Sequence, residues 1–165
     1  MGIIHQLAEK IFEELEEEEA KKFRQTYHSL PAETDLKVWS GFVVWLLEEF
    51  EQFCSPEALP FSVAVRSIYV RQLGGDTIDK NEWEAAIAGC DGLAYAACPL
   101  YAASAGYAIS EGDLDEAASD AADTAGFAAD TYGFVVAESS DENELDAEGR
   151  FYGKMKDKLI ELLRG

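Results

Sequence analysis

The sequence predicts an all-α fold, a single-domain bundle of six to seven helices, two of them Ala-rich and matching each other as a duplicated unit would. Three observations lead there. Apolar residues recur at helical spacing along most of the chain. Helix start and stop signals fall between those runs. The 165 residues are 48% hydrophobic and hold only four Pro, with no Pro/Ser/Gly-rich linker, which suits one core over residues 1–165 without an internal boundary.

The first expected helix covers residues 2 to 28, where Ile4, Leu7, Ile11, Phe12, Leu15, Phe23 and Tyr27 stand at helical spacing. Its acidic run at 13–19 is followed by Lys21, Lys22 and Arg24, so that Glu17 with Lys21 and Glu18 with Lys22 form supportive i, i+4 pairs. Ser29, Leu30 and Pro31 end it. Thr34 or Asp35 caps a second helix that runs to about residue 53. Val38, Trp39, Phe42, Val43, Trp45, Leu46, Leu47 and Phe50 cover most of its sides, which places it at the centre with the acidic helices outermost. A third helix over about 60–73 closes at Gly74 and Gly75.

Beyond residue 75 the texture changes. Asp79 and Glu82 stand at capping spacing ahead of a helix rich in Ala and Gly. Residues 110–113 open another helix, 113–137, and a hydrophilic loop at 138–144 precedes a last helix with a basic end. Shifted by 32 residues, Glu84, Ala85, Ala86, Asp91, Ala96 and Ala97 fall on Glu116, Ala117, Ala118, Asp123, Ala128 and Ala129, the mark of a duplicated unit. Residues 85–109 carry one charge, Asp91, but their apolar content is mostly Ala and Gly and Pro99 interrupts them. They read as a buried helix or helix pair rather than a membrane span.

Cys54, Cys90 and Cys98 are odd in number and irregular in spacing, which argues against a disulfide framework and for a reducing cytoplasm, with Cys90 and Cys98 as buried thiols within apolar sequence. No His lies near them, so no zinc site is expected. The N-terminus shows no basic stretch leading into an apolar one, as a secretory signal would require.

Charge is the most informative feature. Residues 76–149 hold eighteen acids against one base, Lys80; residues 1–75 hold thirteen acids and seven bases; residues 150–165 hold two acids and five bases. Residues 76–149 therefore carry −17 of a net −20. Such a field repels nucleic acid and anionic membrane and attracts basic surfaces. In the helix from 113, Glu116, Asp120, Asp123, Phe127 and Asp130 share one stripe, and Ala residues occupy most of the rest. Like charges at this spacing each cost a few tenths of a kcal/mol, ~0.2–0.5. The stripe, with its counterparts Glu84 and Asp91, is the candidate contact surface for a basic partner, and Phe127 the candidate apolar anchor.

Chemistry-bearing motifs are few. No Gly-rich phosphate loop follows Gly74 and Gly75, and no Gly-x-Ser-x-Gly frame surrounds Ser104. Glu13, Glu14 and Glu17 have a spacing similar to the first half of the EExxE…ExxD pattern of MazG-type nucleotide pyrophosphohydrolases. Its second half could come only from Glu138 and Asp141, far along the chain in an expected loop. The expectation is a non-enzymatic inhibitor without metal or cofactor. In composition and character it resembles toxin-immunity proteins and nucleic-acid-mimicking phage anti-defence proteins, which would make its partner a nuclease, a toxin or a nucleic-acid-binding complex. A metal-dependent bundle hydrolase and a structural assembly subunit are the alternatives.

Overall fold

The computed structural model describes residues 2–29 and 35–165; the expected stop at Leu30 and Pro31 and the Thr34 cap lie outside them. The described residues form eight α-helices and no strand. These are α1 (Ile3–Glu14), α2 (Glu17–Ser29), α3 (Asp35–Phe53), α4 (Leu59–Leu73), α5 (Lys80–Cys90), α6 (Ala97–Ser110), α7 (Leu114–Ser139) and α8 (Glu144–Arg164), with a 3-10 turn at Ala94–Ala96 before α6.

The count exceeds the expected six to seven because the first helix is two. Leu15 leaves helical geometry at φ −87°, ψ 156° and turns into the core. The break lets α1 and α2 fold onto each other, with the Phe12 and Phe23 rings edge-to-face at 4.8 Å. An unbroken helix would have separated those rings by sixteen or so ångströms along its axis. Ion pairs then tie neighbours rather than successive turns of α2: Arg24 reaches Glu9 of α1, and Lys156 of α8 reaches Glu19 at 2.7 Å.

Later boundaries follow local chemistry. At the end of α4, Gly75 adopts φ 104° while the N–H groups of Gly75 and Asp76 donate to Gln72 and Arg71 carbonyls, the arrangement that needs a left-handed residue. Asp79 caps α5 by accepting from the Asn81 N–H at 2.8 Å, whereas Glu82 turns away to a two-pronged ion pair with Arg71. Asp113 caps α7 through Glu116 N–H, and Asn143 caps α8 through Leu145 N–H at 2.7 Å. The hydrophilic loop is therefore shorter than expected, four residues between Ser139 and Glu144.

Trp39, Phe42, Val43, Leu46, Leu47 and Phe50 of α3 are buried, as a central helix requires. A relay locks α3 to α4 and α6: Trp39 Nε1–H donates to the Tyr69 hydroxyl at 3.2 Å, and that hydroxyl donates to the Ala102 carbonyl at 2.6 Å. The acidic helix α7, however, is not outermost. It packs against α1, α3, α6 and α8. Its Ala117, Ala121, Ala125, Ala128 and Ala129 are fully enclosed, and α6 meets α7 through Ser104 at Asp120, Cys98 at Thr124 and Tyr101 at Phe127. Cys98 is buried at this junction, its thiol pushed up by desolvation, and its Sγ–H donates to the Thr124 carbonyl. None of the three cysteines is in a disulfide.

The 32-residue match does not carry over into shape. Asp91 sits in the turn that ends α5, whereas its counterpart Asp123 lies inside the unbroken α7. No described helix is long and apolar enough to cross a membrane.

Candidate functional site

The expected stripe on α7 does not face solvent as a unit, because α6 covers one side of it. Asp120 is only 3% exposed. It accepts a 2.7 Å hydrogen bond from Ser104 Oγ of α6, and burial with Glu116 and Asp123 nearby pushes its carboxyl up to about 6. Asp120 is therefore withdrawn from the candidate contacts: a 100° step correctly grouped it with its neighbours but could not show that α6 lies over it. Phe127 stacks on Tyr101 of α6 at 5.2 Å and 11°, yet keeps 37% exposure. Glu84 on α5 and Asp91 in the turn after it are exposed, and α5 packs on α4 and α6. Glu116 is exposed in the first turn of α7.

The Asp120 site gives a stability test. Its folded value lies above its unfolded one, so the native state holds an extra proton between about pH 4 and pH 6 and loses stability as pH rises through that window. Asp120→Asn keeps an acceptor for Ser104 and removes the buried charge. The variant should be more stable than the parent by about 2–3 kcal/mol above pH 6.5, with the difference vanishing near pH 4, as read by urea denaturation across pH.

The rest of the stripe meets carboxylates from two other helices. Asp130 of α7 lies beside Glu148 of α8, and Glu144 and Glu14 approach the same point from α8 and α1. Burial first, then Asp130, Glu144 and Glu14, push the Glu148 carboxyl up to about 7. Tyr152 lies against the same group, its hydroxyl pushed up by burial and by Glu14, Asp130, Glu148 and Glu13. The close approach rests on Gly133, where a Cβ would stand 2.5 Å from Glu148 Cγ and 2.9 Å from the Glu144 carbonyl. Asp123 has a cation nearby: Lys10 of α1 opposes the upward push of burial, while Lys10 also pairs with Glu14 at 3.3 Å.

Next to this cluster a groove of about 820 Å³ runs between the α1–α2 break and the start of α8. Glu14, Glu16, Glu19, Glu142, Asp146 and Asp157 line it together with Arg150 and Lys154. Both bases already have partners: Arg150 holds Glu142 at 2.6 Å and Lys154 holds Glu49 at 3.1 Å. Leu145 lies in the groove at 74% exposure. Phe134, one heptad after Phe127, is 55% exposed on the same side of α7 as Asp130.

The acidic face is thus a composite of α1, α7 and α8. Of the residues expected from sequence, Asp123 and Asp130 belong to it, with Phe127 on its α6 border. Sequence reading missed Glu13, Glu14, Glu144, Glu148 and Phe134. Glu144 and Glu148 did carry a signal, an i, i+4 like-charge pair in the first turns of α8. Among the described residues no three His, Cys, Asp or Glu side chains converge in a way that could hold a metal ion. The chain matches no protein-family model, and neither a curated protein nor a solved structure shows significant similarity to it.

Proposed function

We propose that this chain is a non-enzymatic inhibitor in the cytoplasm that engages a basic protein surface with the acidic face of α1, α7 and α8. The partner is of the kind a toxin-immunity protein or a nucleic-acid-mimicking anti-defence protein meets: a nuclease, a toxin or a nucleic-acid-binding complex. The observation that carries the reading is the Asp130–Glu148 contact, with Glu144 and Glu14 beside it. Solubility needs acids on the surface; it does not need them pressed together until one retains its proton near neutrality. An arriving Lys or Arg relieves that repulsion, so the strain of the free protein becomes affinity for a cation. Phe127, Phe134 and Leu145 supply apolar anchors around the charge, and Glu84, Asp91 and Glu116 extend the negative field from neighbouring helices.

The proton on Glu148 makes the reading testable. A bound cation lowers the Glu148 value from about 7, so binding near pH 6 releases a proton. Affinity for an arginine-rich peptide should therefore rise between about pH 6 and pH 8 and fall steeply with added salt. Calorimetry in buffers of different ionisation enthalpy reads the released proton directly. Affinity independent of salt, or binding without proton release at pH 6, contradicts the proposal.

A further inference from the structure

The outer face of α4 has the opposite character to the acidic face. Val65, Ile68 and Tyr69 are buried and hold α4 to the core, with Ser62 beside them donating to Glu51. On the other side stand Leu59, Val63, Val70 and Leu73, exposed by 40%, 37%, 45% and 44%. With Arg66 they follow the spacing 4, 3, 4, 3, a two-heptad seam in which Leu59, Arg66 and Leu73 take the d positions and Val63 and Val70 the a positions. Leu at d with a β-branched residue at a is the pattern that favours two-stranded pairing. The one polar seam residue is neutralised from within: Arg66 Nε and Nη2 donate to Glu51 Oε2 and Oε1 at 2.8 and 2.9 Å. Leu73 continues the apolar surface into a shallow groove with Leu36, itself 42% exposed.

Charge decides what covers this seam. Residues 58–75 contain no Asp or Glu, in a chain of net charge −20. The acids that reach α4 from outside it are held by its own bases, Asp76 and Glu82 by Arg71 and Glu51 by Arg66, so a basic partner has little to attract it there. A second copy of this chain, repelled by acidic surface elsewhere, meets the least repulsion at α4 and finds the matching row of Val and Leu. We propose that the outer face of α4 pairs with the α4 of a second copy, forming a two-fold dimer. Each protomer then keeps its α1, α7 and α8 face free, since α4 packs on α3, α5 and α6. The dimer does not depend on the inhibitor reading.

Sedimentation equilibrium from about 10 to about 500 µM tests it, because a seam this short gives an interface at the small, transient end of the range. The expected result is a monomer–dimer equilibrium that tightens at least about threefold from 50 mM to 500 mM salt, as screening removes the repulsion between two acidic chains. That sign is opposite to the one expected for a basic partner, so either proposal can fail alone. Val63→Thr with Val70→Thr, isosteric and on an exposed surface, should weaken the dimer about tenfold while leaving the far-ultraviolet circular dichroism unchanged; Val63→Ile with Val70→Ile should retain it. A monomer at every concentration overturns the proposal. So does a dimer that the Thr pair leaves intact, since it would form elsewhere.

Discussion

Gly106→Ala should destabilise the protein by about 3 kcal/mol, at the upper end of what one added methyl costs in a packed core. The methyl carbon would stand 2.6 Å from three atoms of the Trp83 indole, Cε2, Cζ2 and Cη2. Trp83 has no room to give way. It is fully buried, its ring lies 4.7 Å from Tyr69, and Tyr69 is held by the hydrogen bonds that join Trp39 to the Ala102 carbonyl. The strain therefore passes into α3, α4 and α6 together. Gly149→Ala is the informative control: it lies inside α8 with nothing within 4 Å of the added carbon. Helix propensity alone should make that variant neutral or more stable by up to about 1 kcal/mol. Urea denaturation of the two variants separates close packing from glycine's general weakness in helices.

Neutralising the acidic face should have the opposite sign for stability. Asp130→Asn, Glu144→Gln and Glu148→Gln together should stabilise the protein by about 1–2 kcal/mol at pH 8, after allowance for partial solvent screening. Glu148 has a folded value near 7, above its unfolded one, so its charge weighs on the native state only as pH rises from about 4 through 7. The gain should accordingly be complete above about pH 7.5 and nearly absent at pH 4. A surface evolved for solubility alone would show little change, because exposed like charges contribute only tenths of a kcal/mol, ~0.2–0.5 per pair.

Helical class and most helix ends were legible because they rest on local chemistry. Gly75 and the cap at Asp79 act within five residues of themselves, and both hold in the structure. The break at Leu15 was not legible, because the residues around it favour helix and only the tertiary packing of Phe12 on Phe23 makes a turn worthwhile. The site divides along the same line. Spacing on α7 correctly put Asp120, Asp123, Phe127 and Asp130 on one side of the helix. It could not say that Ser104 of α6 takes Asp120 or that Glu148 of α8 arrives beside Asp130. Those are contacts between elements, set by how closely Gly133 and the Ala residues let helices approach. Local spacing pairs the acids of the first helix with the bases that follow them. The turn at Leu15 instead leaves Glu14 and Glu16 facing α8 across the groove.

The affinity of an arginine-rich peptide for two triple variants of equal charge tests the central claim most directly. One is Asp130→Asn, Glu144→Gln, Glu148→Gln. The other is Glu17→Gln, Glu18→Gln, Glu57→Gln, which removes the same charge from exposed positions outside the cluster. A composite acidic face predicts at least a tenfold loss, about 1.4 kcal/mol, in the first variant and less than about threefold in the second. Equal losses in both would show that net charge alone attracts the peptide and that the meeting of α1, α7 and α8 is not the binding surface.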